Sequence, residues 1–464
     1  MTSTQDRSAA ASTHRSAVVI GSTPAGPRPL PELGPQRTVP APSLVDTVLD
    51  CGLRVIAVRR PAVPMVELRL AVPFGGTHHT HAARAEVLAA TLLRGTPQRD
   101  RFRIDTDLAT VGGDLSAGVD PEHLSVSGSS LASGLPVLID VLADALTSAS
   151  HAAPEVARER DRLTERIQIS RSQPRVIARE ALQRHRYGDH PATREMPEAE
   201  QVAQVTPAAV RALHRRAVVP RGSVLVLVGD ITPRRAVDTV AAALAGWRSE
   251  RAAAELAPLP EVAGGDLALV HRDGAVQSQL RLSAQAVPRT DERYPALQLA
   301  NLVFGGYFSS RWVENIREDK GYTYSAHSGF EFTPKGATLL ADADTASEVT
   351  AAALLETRYE LGRVAVVPPD RSEVDNARQY ATGSLMIASS SQSGLAGHLT
   401  ALATLGLDAE WLREHPGRLR AVTTEQVAAA ATEFLAPSRF TGVVVGDAQR
   451  LAGSLAALGG VTLP

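Results

Sequence analysis

The amino-acid sequence predicts an α+β fold made of two homologous α/β domains that arose by duplication. Each domain is expected to be a mostly antiparallel sheet packed with helices on one face. The chain has 464 residues, too many for one ordinary domain. Residues 205–230 and 422–447 align without a gap. In each half, strand-like runs precede and follow long helical patterns without strict alternation, which favours an antiparallel sheet.

The two aligned segments share a physical pattern as well as a sequence. Thr206 and Thr423 stand where the N-cap of a helix is expected. Pro220 and Pro437 then break the helical pattern. An apolar, β-branched run follows and ends in Val-Gly-Asp in both copies, as a buried strand and a turn would. We therefore expect one such helix–strand unit in each half.

The earlier parts of the two halves correspond more loosely. In each, a strand-like run is followed by a helical pattern and then by a Gly-containing segment. The matched pairs are 66–72 with 278–287, 82–93 with 294–303, and 105–120 with 311–330. Matches that recur in the same order at both ends of each half indicate duplication of a whole domain.

This pattern divides the chain into four predicted parts. Residues 1–43, rich in Ala, Ser, Thr and Pro, are expected to be disordered. Residues 44–248 and 266–464 are expected to form the two domains. Between them, residues 249–265 contain the Ala, Pro and Gly typical of a surface linker.

Composition narrows the classes of function. The net charge of −2, from 48 basic and 50 acidic residues, gives no footprint for nucleic acid. The single cysteine, Cys51, excludes a disulfide framework within the chain and is expected to be a small buried residue. No signal peptide and no run of about 20 apolar residues is present. We therefore expect a cytoplasmic protein without a membrane span.

Residues 72–96 read VPFGGTHHTHAARAEVLAATLLRGT. This segment resembles the zinc-site segment of the insulinase/pitrilysin peptidases and the mitochondrial processing peptidases. In that family a helix carries H-x-x-E-H and ends in a basic residue, Gly and Thr. Two His on one helical face bind zinc, and the Glu is the general base for the attacking water.

The resemblance, anchored on LLRGT at 92–96, implies that the zinc site has degenerated. Glu86 occupies the first His position, Ala89 the Glu position and Ala90 the second His position. The third ligand, a Glu in a later helix, corresponds to Arg166. Alanine offers no donor atom, and an arginine would repel a divalent cation. We therefore expect no metal site in this chain, and we expect Glu86 to be a solvated or a buried, paired carboxylate.

A cluster of histidines just before that helix offers another reading. His78, His79 and His81 could bind a metal ion. However, no carboxylate stands at a spacing suited to acid–base catalysis. We expect these three residues to be exposed loop histidines.

Residues 301–328 read NLVFGGYFSSRWVENIREDKGYTYSAHS. This segment resembles the second diagnostic segment of the same family, in which an Arg and a Tyr seven residues apart hold the peptide backbone beside the zinc. The matching positions are Arg317 and Tyr324. The resemblance implies that these two residues bind substrate. The alternative is that Arg317 forms a surface ion pair with Glu314 or Glu318, and that Tyr324 packs on the sheet.

The local sequence predicts how this second segment folds. Ser309 and Ser310 are expected to cap a helix over 310–320. Gly321 suits the left-handed position that ends such a helix. The pair Gly305–Gly306 is expected to serve the backbone geometry of a turn.

Two functions remain open. The family includes bacterial two-subunit peptidases in which one subunit carries H-x-x-E-H and the other the Arg/Tyr pair. The resemblance thus implies a non-catalytic, substrate-positioning subunit of a zinc endopeptidase that acts on peptides or unfolded leader segments. Zinc would come from a homologous partner with an intact H-x-x-E-H. The alternative is a structural or peptide-binding member without a proteolytic role. An independently active hydrolase is disfavoured because no G-x-S-x-G or P-loop motif is present.

Overall fold

The computed structural model describes residues 22–23, 26–27, 42–334 and 336–464. The chain divides into two units, Met1–Ala41 and Pro42–Pro464. In the first unit, Ser22–Thr23 pairs antiparallel with Gly26–Pro27. The other residues of Met1–Ala41, for which disorder was predicted, lie outside the described residues. All further description concerns the second unit.

The first half of this unit forms one mixed sheet with its own helices. Its strands are β1 (Leu44–Val48), β2 (Arg54–Arg59), β3 (Met65–Pro73), β4 (Asp114–Val119), β5 (His123–Leu131) and β6 (Val224–Gly229). Its helices are α1 (His81–Leu92), α2 (Arg101–Thr110), α3 (Leu135–Ser148), α4 (Ala153–Arg171), α5 (Pro174–Tyr187), α6 (Ala199–Ala203), α7 (Pro207–Ala217) and α8 (Pro233–Ala243), with 3₁₀ turns at Ala132–Gly134 and Pro191–Thr193. The strand order is β1-β2-β6-β3-β5-β4, and only β2 and β6 pair in parallel.

The second half repeats this plan. Its strands are β7 (Leu267–His271), β8 (Gln277–Gln285), β9 (Thr323–Thr333), β10 (Gly336–Ala346), β11 (Phe440–Gly446) and β12 (Val461–Thr462). Its helices are α9 (Tyr294–Asn301, continued by a π-helical segment Leu302–Gly306), α10 (Arg311–Val313, continued by a π-helical segment Glu314–Asp319), α11 (Thr350–Val366), α12 (Arg371–Ala388), α13 (Gln392–Thr404), α14 (Ala409–Ala421), α15 (Thr424–Phe434) and α16 (Ala448–Leu458), with 3₁₀ turns at Ser347–Val349 and Pro437–Arg439. The strand order is β9-β10-β8-β11-β7-β12, and β7 pairs in parallel with both β11 and β12.

The repeated helix–strand unit occupies equivalent places in the two sheets. The Thr206 side chain accepts a hydrogen bond from the backbone N–H of Ala209 at the start of α7, and Thr423 accepts one from Gln426 at the start of α15. Both helices lead to an entirely buried strand, β6 or β11, that pairs in parallel with one neighbour and antiparallel with the other. The prediction of a duplicated α+β architecture with mostly antiparallel sheets is confirmed.

Each sheet packs its own helices on one face and receives a helix from the other half on the opposite face. On the first sheet, Ala396 and Leu399 of α13 pack against the side chains of Ile56 and Val226. The start of α13 is fixed by Gln392, whose amide donates to the backbone oxygens of Arg60 and Val63. Burying a leucine side chain stabilises the fold by roughly 1.5–3 kcal/mol, so this packing holds the halves together.

The reciprocal contact is made by α5 of the first half. Its Ala178 and Leu182 pack against Val443 and Val445 of the second sheet. One turn further on, the Arg186 guanidinium is almost completely buried. It donates to Ser283 Oγ at 3.0 Å and to Thr338 Oγ1 at 3.2 Å, and it pairs with Glu331. The exchange of helices was not predicted.

Within the described residues, no helix taken alone combines the length and the apolar character that crossing a bilayer requires. Ala132–Ser148 and Ala153–Arg171 meet both criteria only as a pair, and they are bent by 96° at the break between them.

Candidate functional site

The four positions of the degenerate zinc motif lie on two neighbouring helices. Glu86, Ala89 and Ala90 are on α1, and Arg166 is on α4. The side chain of Ala89 belongs to the core of the first half, and Ala90 packs against that core. Burial raises the pKa of Glu86 above its ordinary value, while the positive charge of Arg166 opposes the rise. Glu86 is thus a partly buried carboxylate that the positive charge of Arg166 influences.

These residues do not fit a zinc ion. One carboxylate remains, two positions are methyl groups and the fourth is a cation, whereas zinc requires three or more N, O or S donors. Across residues 42–334 and 336–464, no group of three or more His, Cys, Asp or Glu side chains is arranged to hold a metal ion. Helices α1 and α4 are therefore present, but the four motif positions (86, 89, 90 and 166, here called the degenerate cradle) do not supply a set of zinc ligands.

The prediction of three exposed loop histidines is wrong for one of them. His78 and His79 are exposed and stack on each other, with ring centroids 4.3 Å apart. His81 instead begins α1, is 9% exposed, and its Nε2 lies 2.8 Å from the backbone oxygen of Phe74. Gly76 makes room for the ring, because a Cβ at that position would lie 2.2 Å from His81 Cγ. His81 is therefore a packed residue of the core.

Arg317 lies in the π-helical segment that continues α10, with its side chain 28% exposed. Its guanidinium carbon is 4.5 Å from the ring centroid of Phe308 and 5.5 Å from that of Tyr324. Its Nε is 3.5 Å from Glu318 Oε1, so one of the two anticipated ion pairs is present. Two aromatic rings and one carboxylate thus orient the guanidinium.

Tyr324 projects from an irregularity in β9. Thr323 pairs with Thr345 and Ser325 pairs with Asp344, which leaves Tyr324 as an extra residue without a cross-strand partner. A bulge of this kind redirects a side chain away from the regular pleat. Tyr324 is 89% exposed, so the alternative expectation that it packs on the sheet is wrong.

The helix that carries Arg317 begins and ends close to the predicted residues, but its cap differs. It spans 311–319 and is mostly π-helical. Ser310 occupies the N-cap position, yet its hydroxyl makes no capping hydrogen bond and is buried without a partner among the described residues. Gly321 has a φ of +64°, as predicted for the left-handed position after the helix. The chain therefore turns sharply between Arg317 and Tyr324.

The pair Gly305–Gly306 serves close packing rather than a turn. Both residues belong to the π-helical end of α9, and neither has a positive φ. A Cβ on Gly305 would lie 2.7 Å from Trp312 Cε3 and 2.9 Å from Ser328 Oγ. The expectation of turn geometry was wrong because the missing side chain, not the backbone angle, is what this site requires.

The structure brings Arg317 and Tyr324 together but does not join them to the degenerate cradle. Within the described part of the chain, neither residue has a hydrogen bond or ion pair to position 86, 89, 90 or 166. Sequence reasoning missed Phe308, the aromatic neighbour of Arg317. The available signal was an aromatic residue directly before Ser-Ser-Arg in a chain with only 4% aromatic residues.

This arrangement has a defined chemical capacity. A guanidinium presents a rigid fork of N–H donors, and a phenol adds one O–H donor. Both groups suit carbonyl or carboxylate oxygens of an extended ligand. Because neither side chain is buried in the core, both can contact a ligand or a second chain.

Comparison with known proteins agrees with this architecture. Residues 54–199 match the family model described as insulinase (peptidase family M16). Residues 204–380 match the model described as the peptidase M16 inactive domain. Among curated proteins, an uncharacterized zinc protease of Mycobacterium tuberculosis is 31% identical over 299 residues, covering 63% of this chain and 68% of the relative. One from Streptomyces coelicolor is 27% identical over 291 residues, covering 61% and 63% respectively.

Solved structures share the fold. A peptidase M16 inactive domain from Pseudomonas fluorescens superposes with a TM-score of 0.79 at 24% identity, covering 87% of this chain and 98% of that one. A protease from Helicobacter pylori gives a TM-score of 0.78 at 16% identity, covering 87% and 100%. This duplicated α+β fold is that of an insulinase-like peptidase. The chain belongs to the insulinase (M16) peptidase family.

Proposed function

We propose that this chain is a non-catalytic, substrate-positioning subunit of a heteromeric zinc endopeptidase that acts on peptides or unfolded leader segments. The observation that carries the proposal is the exposure of Tyr324, 89%, beside an oriented Arg317. The folded core does not require an aromatic ring held in solvent on a strand bulge. A substrate contact gives that arrangement a purpose.

The two side chains would act on the peptide backbone. Arg317 and Tyr324 donate hydrogen bonds to a substrate carbonyl, and they steady negative charge that develops on its oxygen. Zinc and the water-activating Glu come from a homologous partner subunit with an intact H-x-x-E-H. In this arrangement the domain at 44–248 carries the degenerate cradle, residues 249–265 are the linker, and the domain at 266–464 carries the Arg/Tyr pair. We place the complex in the cytoplasm, with no nucleic-acid partner.

A second candidate is a structural or peptide-binding member without a proteolytic role. The ion pair between Arg317 and Glu318 favours it, because a guanidinium that already has a carboxylate partner is less available to substrate. This candidate predicts a chain that assembles only with itself and that supports no hydrolysis in any mixture.

Reconstitution separates the two. The experiment purifies this chain and a homologous chain with intact H-x-x-E-H encoded next to it, and measures hydrolysis of a quenched fluorescent peptide library by each chain alone and by the mixture. Activity in the mixture only supports the proposal. If the mixture hydrolyses no member of the library and this chain assembles only with itself, the proposal is contradicted and the second candidate is favoured.

A further inference from the structure

Aromatic residues are concentrated around one cavity in the second half of the chain. Phe, Tyr and Trp make up only 4% of the sequence. Five of them nevertheless line a cavity of about 600 Å³ between β9 and helices α9, α12, α13 and α14: Tyr294, Phe330, Phe332, Tyr380 and Trp411. This volume lies in the range of small-molecule sites, which are mostly apolar with a few polar groups.

The rings form a continuous wall around Tyr294. Phe330 and Phe332 approach it edge-on, with ring centroids 5.8 and 5.6 Å away. On another side, Trp411 and His415 stack on each other at 4.4 Å, and His415 lies 5.6 Å from Tyr294. Such a wall offers ring faces and edges to an incoming aromatic group.

Two polar atoms in this wall lack partners. His415 is 3% exposed, and its Nε2 lies 2.7 Å from Gln298 Oε1. The Nε2 therefore carries the proton, and Nδ1 is an acceptor that is buried without a partner within the described residues. Burial, with the charges of Arg289 and Arg418, lowers the pKa of His415 to about 4, which keeps the ring neutral at pH 7.

The second unsatisfied atom belongs to Arg289. Its guanidinium stacks 4.1 Å above the Phe332 ring, and its Nη1 donates to Tyr294 Oη at 3.3 Å. Its Nε–H is buried and makes no hydrogen bond to any described residue. A buried donor or acceptor left without a partner costs about 1–3 kcal/mol, so a ligand that satisfies both atoms is favoured.

The chemistry of these two atoms selects among aromatic groups. A hydroxyl can donate to an imidazole nitrogen and accept from a guanidinium at the same time. An indole N–H can only donate, and a phenyl ring can do neither. The wall favours an aromatic ring, and the unsatisfied pair on His415 and Arg289 favours a hydroxyl on that ring.

We propose that this cavity binds a phenol ring, whose hydroxyl donates to Nδ1 of His415 and accepts from Nε–H of Arg289. The ring can be a tyrosine side chain of a peptide or a free phenolic compound, because both present the same group. The proposal does not depend on the proposed function and needs no partner subunit.

The test uses the intrinsic fluorescence of the full-length chain. Trp411 lines the cavity, whereas Trp247 and Trp312 are not among its lining residues. The chain is titrated with N-acetyl-tyrosinamide, N-acetyl-phenylalaninamide and p-cresol, and each titration is repeated on Trp411→Phe. We expect saturable quenching that the variant loses, and about tenfold tighter binding of the tyrosine than of the phenylalanine derivative. Equal affinities, or no saturable change with any probe, would overturn the proposal.

Two matched substitutions on the same wall locate the hydroxyl contact. His415→Phe removes the acceptor and is expected to abolish the preference for tyrosine over phenylalanine. His398→Phe makes the same change at another cavity residue and is expected to retain it. If His415→Phe keeps the tenfold preference, the proposed hydrogen bond from the phenol hydroxyl to His415 is contradicted. Tighter binding of the tyrosine derivative than of p-cresol assigns the ring to a peptide, and equal binding assigns it to a free phenol.

Discussion

The guanidinium of Arg317 lies 5.5 Å from the centre of the Tyr324 ring, across a turn that a left-handed glycine makes possible. The arginine comes from a π-helical segment and the tyrosine from a strand bulge. Two local irregularities of the backbone therefore converge on one exposed pair. Under the proposed function, this exposed pair binds the substrate.

Replacement of Arg317 by alanine is expected to lower the peptidase activity of the reconstituted complex by about 100-fold in kcat, the size of effect seen when one donor to a developing oxyanion is lost. The free energy of unfolding should remain within about 0.5 kcal/mol of the parent, because the side chain is outside the core. The measurement is steady-state hydrolysis together with urea unfolding.

The control for that prediction is Arg371→Ala. Arg371 is 92% exposed and its contact to Asp375 is 3.7 Å, so its loss should leave activity unchanged. If the Arg317→Ala and Arg371→Ala complexes have equal activity, the proposal that Arg317 positions the substrate is contradicted.

Substitution of Gly305 by alanine is expected to destabilise the fold by about 1–3 kcal/mol, because the added methyl group overlaps Trp312 and Ser328. Gly453→Ala is the matched control, since Gly453 is an exposed position of α16 with no atom near the added Cβ. That control should gain about 0.4–1 kcal/mol. Urea unfolding measures both variants. If Gly305→Ala leaves the free energy of unfolding unchanged, the neighbours of Gly305 move aside at little cost and the prediction is contradicted.

Removal of Arg186 tests the exchange of helices between the halves. Arg186→Ala should cost about 1.5–3 kcal/mol, because it removes charged hydrogen bonds to Ser283 and Thr338, while Glu331 keeps Arg179 at 3.5 Å. Arg175→Ala, on the same helix but 76% exposed in its pair with Asp344, should cost less than about 1 kcal/mol. Similar midpoints of urea denaturation for the two variants would contradict the assignment of α5 as an anchored contact.

A buried chain of hydrogen bonds predicts a dependence of stability on pH. Thr91 Oγ1 lies 2.7 Å from His151 Nδ1, and His151 Nε2 lies 2.8 Å from His214 Nδ1. Burial, helped by the charges of His214 and Arg211, lowers the pKa of His151 to about 3. The unfolded chain therefore takes up a proton below pH 6.5 that the folded chain excludes. The stabilising contribution of neutral His151 is fully present above that pH. As pH falls toward 3, the protonation of His151 in the unfolded chain lowers the free energy of unfolding by about 1.4 kcal/mol per pH unit.

The matched variant for this prediction is His151→Asn. His151 has a φ of +41°, a conformation that asparagine tolerates well. Urea midpoints between pH 7.5 and 4.5 should fall less steeply for the variant than for the parent. Identical slopes would show that His151 does not titrate on unfolding.

The duplication could be read from the sequence because its signals are local. Thr206 and Thr423 cap helices, and the apolar run after each proline forms a buried strand, as the spacing predicted. The exchange of α5 and α13 could not be read in this way. An apolar helical stripe shows that a helix is buried, but it does not identify the sheet that buries it.

The candidate site was predictable in residues but not in geometry. The motif pointed to Arg317 and Tyr324, yet the bulge at Tyr324 depends on the cross-strand register with β10, which is not local. His81 was misassigned for a related reason. Its burial depends on the Phe74 carbonyl and on the space left by Gly76, and neither is visible in a run of histidines.

We infer that this chain holds the Arg/Tyr pair without a metal site of its own. The most direct test is a zinc determination by mass spectrometry on the isolated, dialysed chain after incubation with excess zinc, combined with a peptidase assay on the same sample. We expect less than about 0.1 zinc per chain and no hydrolysis, because positions 86, 89, 90 and 166 lack the three donors that zinc requires. One zinc per chain together with peptide cleavage by the isolated chain would contradict it.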